Sequence, residues 1–327
     1  MKKQTILMLG ANGQVASELL VLIKKQRPEV EVRGVCRNFA GSLYLRYHHI
    51  PVIHAAIEDN QFPVALLREA DLVINAIYVR GRPAEIKRRH ATILRNIISH
   101  LGPRTKFVHL SSIAVFHTSA YADEKLSQEK LVKRFAKQYG KKTIILRLGH
   151  VLGHNQSNSA KFLEWLEKKD RKLSLPKAGE YEANCVSIRY LSAVCLDLLA
   201  RVMKNDQVYT TVFNPAVTWS EIFQALGAVD IEQLESSVRT TPANKFFRAI
   251  RNHAGIKDFF MRILRQVPSV EDKIYVRHLL DGANQEILAL GDRDHIELKF
   301  PYVLWESAPG ERYPLLHTFS PKEIMPI

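Results

Sequence analysis

The chain has 327 residues, 46% hydrophobic and 24% charged, a balance that excludes global disorder and allows one large α/β domain with an appendage or two modest domains. Its formal net charge of +14 favours anionic partners, among them nucleic acid, phosphorylated cofactors, nucleotide sugars and anionic membrane surfaces. Cys36, Cys185 and Cys195 are far apart and form no C-x-x-C pair, which excludes a disulfide framework and a thiolate metal site and fits a reducing compartment. The apolar run after Met1-Lys2-Lys3 is broken too early for a secretory signal, and no stretch reaches the roughly 18 apolar residues of a membrane span. A cytoplasmic protein is expected.

Up to residue 150 short apolar runs alternate with longer helical patterns, as in a parallel sheet covered by helices. Thr5–Leu9 reads as a buried strand and 13–26 as a helix ending before Pro28. Residues 30–36 read as a second strand, 52–53 as a short third and 72–76 as a fourth. Pro83, suited to a first helical turn, opens a helix to His100. A fifth strand is expected over 106–110, a helix over 121–139 stopped by Gly140, and a sixth strand over 143–147. Beyond these the pattern loosens. Helices are expected near 160–167 and over 190–203, and a strand over 208–213. Thr218-Trp219-Ser220-Glu221 has the form of a capping box opening a helix to Leu226. Further helices are expected over 244–253 and 256–266, before a Pro-punctuated tail. The expected fold is a doubly wound Rossmann-type α/β sheet. Residues 1–150 would bind the dinucleotide, 151–226 would form a substrate-binding region interleaved with that core, and 227–327 a helical extension.

The first strand runs directly into Gly10-Ala11-Asn12-Gly13-Gln14-Val15-Ala16 and the first helix, the context that gives a glycine motif meaning. Gly10 permits the tight turn, Gly13 lets backbone approach a pyrophosphate, and Ala16 lets helix pack on strand. The helix N-terminus offers unpaired N–H groups and the positive dipole end to the phosphates. Gly10, Asn12, Gly13, Gln14 and Val15 are therefore expected to bind the cofactor. The second strand ends at Cys36-Arg37-Asn38, and no Asp or Glu occurs between Val32 and Glu58. An acid there would take the ribose 2′-hydroxyl of NAD, whereas Arg37, with Arg33 also available, suits the 2′-phosphate of NADP(H). NADP(H) is the expected cofactor, ahead of NAD(H).

Tyr121 and Lys125 lie one turn apart on one helix face, and Ser111-Ser112 ends the fifth strand at the edge where α/β sheets bind ligands. A tyrosine near pKa 10 is a poor base. Lowering it by about three units requires roughly 4 kcal/mol of phenolate stabilisation, which a neighbouring ammonium and a cationic nicotinamide can supply. The order of these features is similar to that in the extended short-chain dehydrogenase/reductases, the NAD-dependent epimerase/dehydratase family. Asn75-Ala76 ends the fourth strand, and 108–116 looks like that family's fifth-strand segment. Tyr121, Lys125 and Glu129 match its Y-x-x-x-K-x-x-x-E helix, and Arg147 to Gly153 its R-x-x-x-V-x-G loop. The likeness runs to about Leu226.

The resemblance implies Tyr121 as general acid/base and Lys125 as the residue that holds the nicotinamide ribose and depresses the tyrosine pKa. It implies Ser112 as the hydrogen-bond donor to the reacting oxygen. It adds Asn75, Ala76, Ile77, Leu148 and Val151 to the cofactor site, and nucleotide-activated sugars as the substrate class. Ile113-Ala114, where dehydratase members have Asp-Glu, points away from dehydration. His150 and His154 are candidate substrate contacts rather than metal ligands, since no carboxylate or cysteine joins them, and no metal is expected. The basic runs at 87–89 and 168–172 read as solvated faces, and without an aromatic-interleaved motif no nucleic-acid role is expected. Basic amphipathic stripes around Phe246 and Phe259 read as a helical cap, with an anionic membrane surface as the other reading. A homodimer is compatible with the sequence, which does not fix the oligomeric state. The resulting expectation is an NADP(H)-dependent reductase of a keto group on a nucleotide-linked sugar. The alternatives are an epimerase that retains its cofactor and a non-catalytic NADP(H)-sensing or scaffold protein, the latter suggested by the short Ser112–Tyr121 interval.

Overall fold

The computed structural model describes residues 3–153 apart from 38, 60 and 117–119, and the segments 172–176, 184–202, 206–212, 218–225, 230–234 and 303–304, with isolated positions at 156–166 and 228. The first half follows the apolar pattern closely. Strands β1 (Thr5–Leu9), β2 (Glu31–Cys36), β3 (Val52–His54), β4 (Leu72–Asn75), β5 (Lys106–Ser112) and β6 (Thr143–Leu148) alternate with helices α1 (Gln14–Gln26), α2 (Leu43–Tyr47), α3 (Ala65–Glu69), α4 (Pro83–His100) and α5 (Ala120–Tyr139). Strand β5 extends two residues past its apolar run and has Ser111 and Ser112 as its last two positions. Short elements follow: β7 (His150–Leu152), β8 (Lys172–Pro176), β9 (Cys185–Ser187), α6 (Ile188–Ala200), β10 (Gln207–Thr211), α7 (Trp219–Ala225), β11 (Asp230–Leu234) and β12 (Val303–Leu304).

The principal sheet is parallel and ordered β3-β2-β1-β4-β5-β6-β10, with the two-residue β12 beside β10. Strand order reverses between β1 and β4, which pair with Leu9 opposite Asn75. In such sheets that reversal opens a crevice at the carboxyl ends of the strands. Because side chains alternate across a strand, β1 contributes to both layers of core. Ile6 and Met8 join the cluster that α1 and α6 cover, while Leu7 and Leu9 join the one that α4 and α5 cover. Helix α4 buries His90, Ile93, Leu94, Ile97 and Ile98, the spacing of one helical face. Lys87 and Arg88 lie on its exposed side and Arg89 pairs with Glu58, as a solvated basic face would.

The chain forms two compact units, Met1–Glu164 with Asn184–Ala216 and Ile296–Ile327, and Trp165–Ala183 with Val217–His295. The first unit thus takes in elements beyond residue 150: β10 pairs in parallel with β6, and α6 covers the sheet. In the second unit β8 pairs with β11. There the capping box forms as the sequence suggests. Thr218 Oγ1 accepts from the Glu221 N–H at 3.1 Å, and the Glu221 carboxylate accepts from the Thr218 N–H at 2.7 Å. The helices expected over 244–253 and 256–266 lie outside the described residues, as does most of 160–167. Among the described residues no helix is long and apolar enough to cross a membrane, and no cluster of metal-ligating side chains occurs. All three cysteines are free and buried.

At the junction of β6 and β7 the backbone of Gly149 passes so close to β9's approach that a Cβ would lie 2.1 Å from the Asn184 carbonyl oxygen and 2.9 Å from Val212. A backbone carbonyl cannot swing away as a side-chain tip can. Gly149→Ala should therefore destabilise the protein by about 3 kcal/mol or more, read as a lowered denaturation midpoint in urea.

Candidate active site

Three segments meet at the carboxyl edge of the sheet. The first is the turn after β1. Gly10 has φ +75°, and a Cβ there would lie 2.9 Å from the Ile77 backbone, so only glycine lets this turn and the end of β4 approach each other. Gly13 is the N-cap of α1, has extended backbone and carries no side chain to cap the helix, and Asn12 and Gln14 beside it are exposed. Donors at this helix start are thus not claimed by a capping side chain, the arrangement that accepts phosphate oxygens. The glycine turn, the small Ala16 buried beneath it and the crevice between β1 and β4 fit a dinucleotide.

Beyond β2, Arg37 is exposed, and nearby Arg46 stacks on Phe39 with its guanidinium carbon 3.8 Å from the ring centroid. Arg33, the other arginine considered from sequence, sits within β2 and is paired with Glu31 at 2.6 Å. Only Arg37 of the two stands at the strand's end. On β4 the Asn75 side chain is buried, accepts from the Ile77 N–H at 3.2 Å and bonds His109 Nδ1 at 3.0 Å.

The second and third segments are the end of β5 and the start of α5. The Ser112 side chain is near enough to the Tyr121 phenol to favour its ionised form, and the Lys125 ammonium lies 5.8 Å from the Tyr121 ring centroid. The three residues expected to act together are brought together. Tyr121 is 41% exposed as a residue, with its phenol end turned into the protein. Burial pushes the phenol up to about 12, the Ser112 hydrogen bond opposing and the nearby Tyr78 and Glu124 adding to the rise. Lys125 is itself desolvated: burial brings it down to about 8, against the pull of Glu124 and Glu129. Its Nζ donates to the Leu110 carbonyl at 3.1 Å.

Glu129, one turn beyond Lys125, is buried and accepts from Ser111 Oγ at 2.7 Å and from Arg147 at 3.0 and 2.8 Å. This bidentate pair clamps α5 to the ends of β5 and β6 and balances the buried carboxylate. The R-x-x-x-V-x-G loop leaves β6 through buried Leu148 and half-buried Val151. His150 is on β7, half-buried, with its backbone N–H donating to the Asn184 carbonyl at 2.9 Å. His154 lies outside the described residues.

Several polar residues at this site were not singled out from sequence. Tyr78 stands beside Tyr121 with ring centroids 6.2 Å apart. Glu124 accepts from Gln128 Nε2 at 2.9 Å and contacts His90 Nε2 at 3.1 Å. A signal existed, since Lys125, Gln128 and Glu129 occupy positions of α5 that continue the buried face of Val132, Phe135 and Ala136.

A family model for NAD-dependent epimerase/dehydratases matches residues 6–182. No curated protein matches the chain. Among solved structures, the chain is similar to the Bordetella bronchiseptica enzyme WbmH in complex with NAD+, with 15% identity, TM-score 0.53, and coverage of 72% of this chain and 88% of that one. It is also similar to a UDP-N-acetylglucosamine 4-epimerase from Methanobrevibacter ruminantium bound to UDP-N-acetylmuramic acid, with 15% identity, TM-score 0.56, and coverage of 73% and 87%. A UDP-glucuronic acid 4-epimerase from Bacillus cereus in complex with NAD gives 17% identity, TM-score 0.56, and coverage of 71% and 87%. These similarities concern the fold. The matched segment contains the glycine turn, the serine-ended fifth strand and the tyrosine–lysine helix whose convergence is described above, and the chain belongs to the NAD-dependent epimerase/dehydratase family.

Proposed function

We propose that this protein is a nicotinamide-dinucleotide enzyme acting on a nucleotide sugar, and that it inverts a carbinol centre as an epimerase does. The observation that carries the reading is the convergence of Ser112, Tyr121 and Lys125 at the sheet edge that also holds the Gly10 turn. Similar solved structures are epimerases bound to nucleotide sugars or NAD, and family membership agrees with them. A bound nicotinamide supplies the hydride acceptor and donor. The chain's own residues do the rest. Ser112 holds the sugar oxygen, Tyr121 Oη gives or takes its proton, and Lys125 Nζ is within the same cluster to hold ribose hydroxyls. With its phenol near 12, the free site keeps Tyr121 as a proton donor. Removing that proton requires positive charge to arrive beside the phenol.

A second reading, NADP(H)-dependent keto-sugar reduction, rests on a specific observation. Arg37 is exposed at the end of β2, and no acid lies between Val32 and Glu58 to take a ribose 2′-hydroxyl. NAD-bound relatives favour the other dinucleotide. Cofactor that copurifies and does not exchange, with interconversion of two sugar epimers and no net consumption of dinucleotide, supports the epimerase; stoichiometric oxidation of NADPH supports the reductase.

On the second reading, fluorescence titration should give NADP(H) an affinity at least about tenfold above NAD(H), a difference of about 1.4 kcal/mol that one guanidinium–phosphate contact can supply. Arg37→Ala should erase the ratio, and equal affinities in the unaltered protein would remove Arg37 from the cofactor site. For the chemistry, Tyr121→Phe keeps the ring but cannot exchange a proton. Turnover of a panel of UDP-sugars should fall by about 10²–10⁴-fold, with dinucleotide affinity nearly unchanged. Activity within a few-fold of the unaltered protein would move the sensing or scaffold reading ahead.

A further inference from the structure

Helix α1 carries an acid at a position where the core would accept an apolar side chain. Glu18 is 2% exposed, in a helix whose Ala16, Leu19, Leu20 and Ile23 are buried with it. A buried carboxylate is costly unless it is hydrogen-bonded, so its partner is informative. That partner comes from the chain beyond β7. Gln156, itself 5% exposed, donates from Nε2 to Glu18 Oε2 at 2.7 Å. Two hydrogen bonds brace this amide. The Gln156 N–H donates to the Gly153 carbonyl at 3.4 Å, and the Gly153 N–H donates to Oγ of the fully buried Ser159 at 3.1 Å. Gly153 lies directly against the carboxylate, since a Cβ there would be 2.7 Å from both Glu18 oxygens. Glycine at this position leaves the carboxylate room to meet Gln156.

The contact joins two parts of the candidate dinucleotide site that lie 138 residues apart in sequence. Glu18 is one helical turn beyond Gln14, the first residue of α1, where the donors suited to phosphate oxygens lie. Gly153 directly follows β7, the strand that contains Val151. The far end of α1 is held separately, by Ser192 of α6, whose Oγ donates to Gln26 Oε1 at 2.8 Å. We propose that Glu18 and Gln156 are positioning residues whose hydrogen bond latches the chain after β7 onto the helix that takes the pyrophosphate, and so slows the exit of a bound dinucleotide. The inference rests on the epimerase reading, in which one dinucleotide stays bound while the sugar carbon is oxidised and reduced again. Neither residue is assigned a contact with the cofactor; both act through the elements they join. A hydrogen bond to a carboxylate is among the stronger ones, and its burial keeps water from replacing it.

Gln156→Met keeps the volume of the side chain and removes the donor. Loaded on the full chain and displaced in a stopped-flow experiment, NADH or NADPH should leave this variant about tenfold faster, the low end of what a hydrogen bond to a charged group contributes. Gln156→Glu sets a second carboxylate against Glu18 and should speed release at least as much. Combining Glu18→Gln with Gln156→Glu exchanges the partners and rebuilds an amide–carboxylate hydrogen bond in the reverse direction. Release from this exchanged pair should slow again toward that of the unaltered protein. The emission of the bound reduced nicotinamide, which depends on its shielding from water, should fall in the Gln156 variants and recover in the exchanged pair. Glu18→Gln alone, which leaves both side chains in place, should speed release by a smaller factor and decides the matter if Gln156→Met does not fold. A contact that is only structural would lower the urea midpoint of the ligand-free variants and leave release rate and emission unchanged. That outcome overturns the proposal, as does an exchanged pair that releases as fast as Gln156→Glu. If the unaltered protein binds neither NADH nor NADPH, the enzyme reading fails and the latch with it. A dinucleotide that binds and leaves every variant at one rate overturns the latch alone.

Discussion

The carboxyl edge of this protein is organised around one ammonium group that the fold has taken out of water. Lys125 extends from the buried face of α5 to the Leu110 carbonyl, and its loss of hydration is the largest influence on its protonation. Taking a charge out of water costs several kcal/mol unless the surroundings return the lost stabilisation. The surroundings are built to do so. Glu124 and Glu129 flank it on the helix, Arg147 ties Glu129 to β6, and Ser111 adds a hydrogen bond to the same carboxylate. The buried face of α5 is apolar from Val132 to Ala136 and becomes polar from Lys125 to Glu129. One helix face thus serves as core at one end and as active site at the other.

The apolar alternation made the first six strands legible from sequence, because in a doubly wound sheet the buried strands read as short continuous runs. The capping box at Thr218 was legible for another reason, since its two hydrogen bonds are local and need no tertiary context. Ser112, Tyr121 and Lys125 were found because their order along the chain is a family trait, and the fold brings them together. Helices α2 and α3, five residues each, escaped because so short an element has no period to detect. The place of β10 in the sheet is a tertiary matter, since it depends on a pairing with β6 across some sixty residues.

The Tyr121 electrostatics lay beyond the sequence for a physical reason. Spacing places an ammonium one turn from a phenol, but it does not say how much water either retains. Here burial dominates both groups and pushes them in opposite directions, each toward its neutral form. Asn75 is a similar case. Its place at the end of β4 does not reveal that its amide pairs with the Ile77 N–H and with His109.

The interrupted course of the nucleotide-binding unit has a consequence for how the chain is made. Strands β1 to β6 are complete once residue 148 has left the ribosome, but the sheet face bearing Ile6, Met8, Val108 and Leu146 is shared between α1 and α6, and α6 ends at Ala200. At translation speeds of about 5–20 residues per second, the intervening fifty or so residues keep part of that apolar face open for about 3–10 seconds. During that interval the nascent chain presents part of its apolar sheet face with one covering helix still to be made.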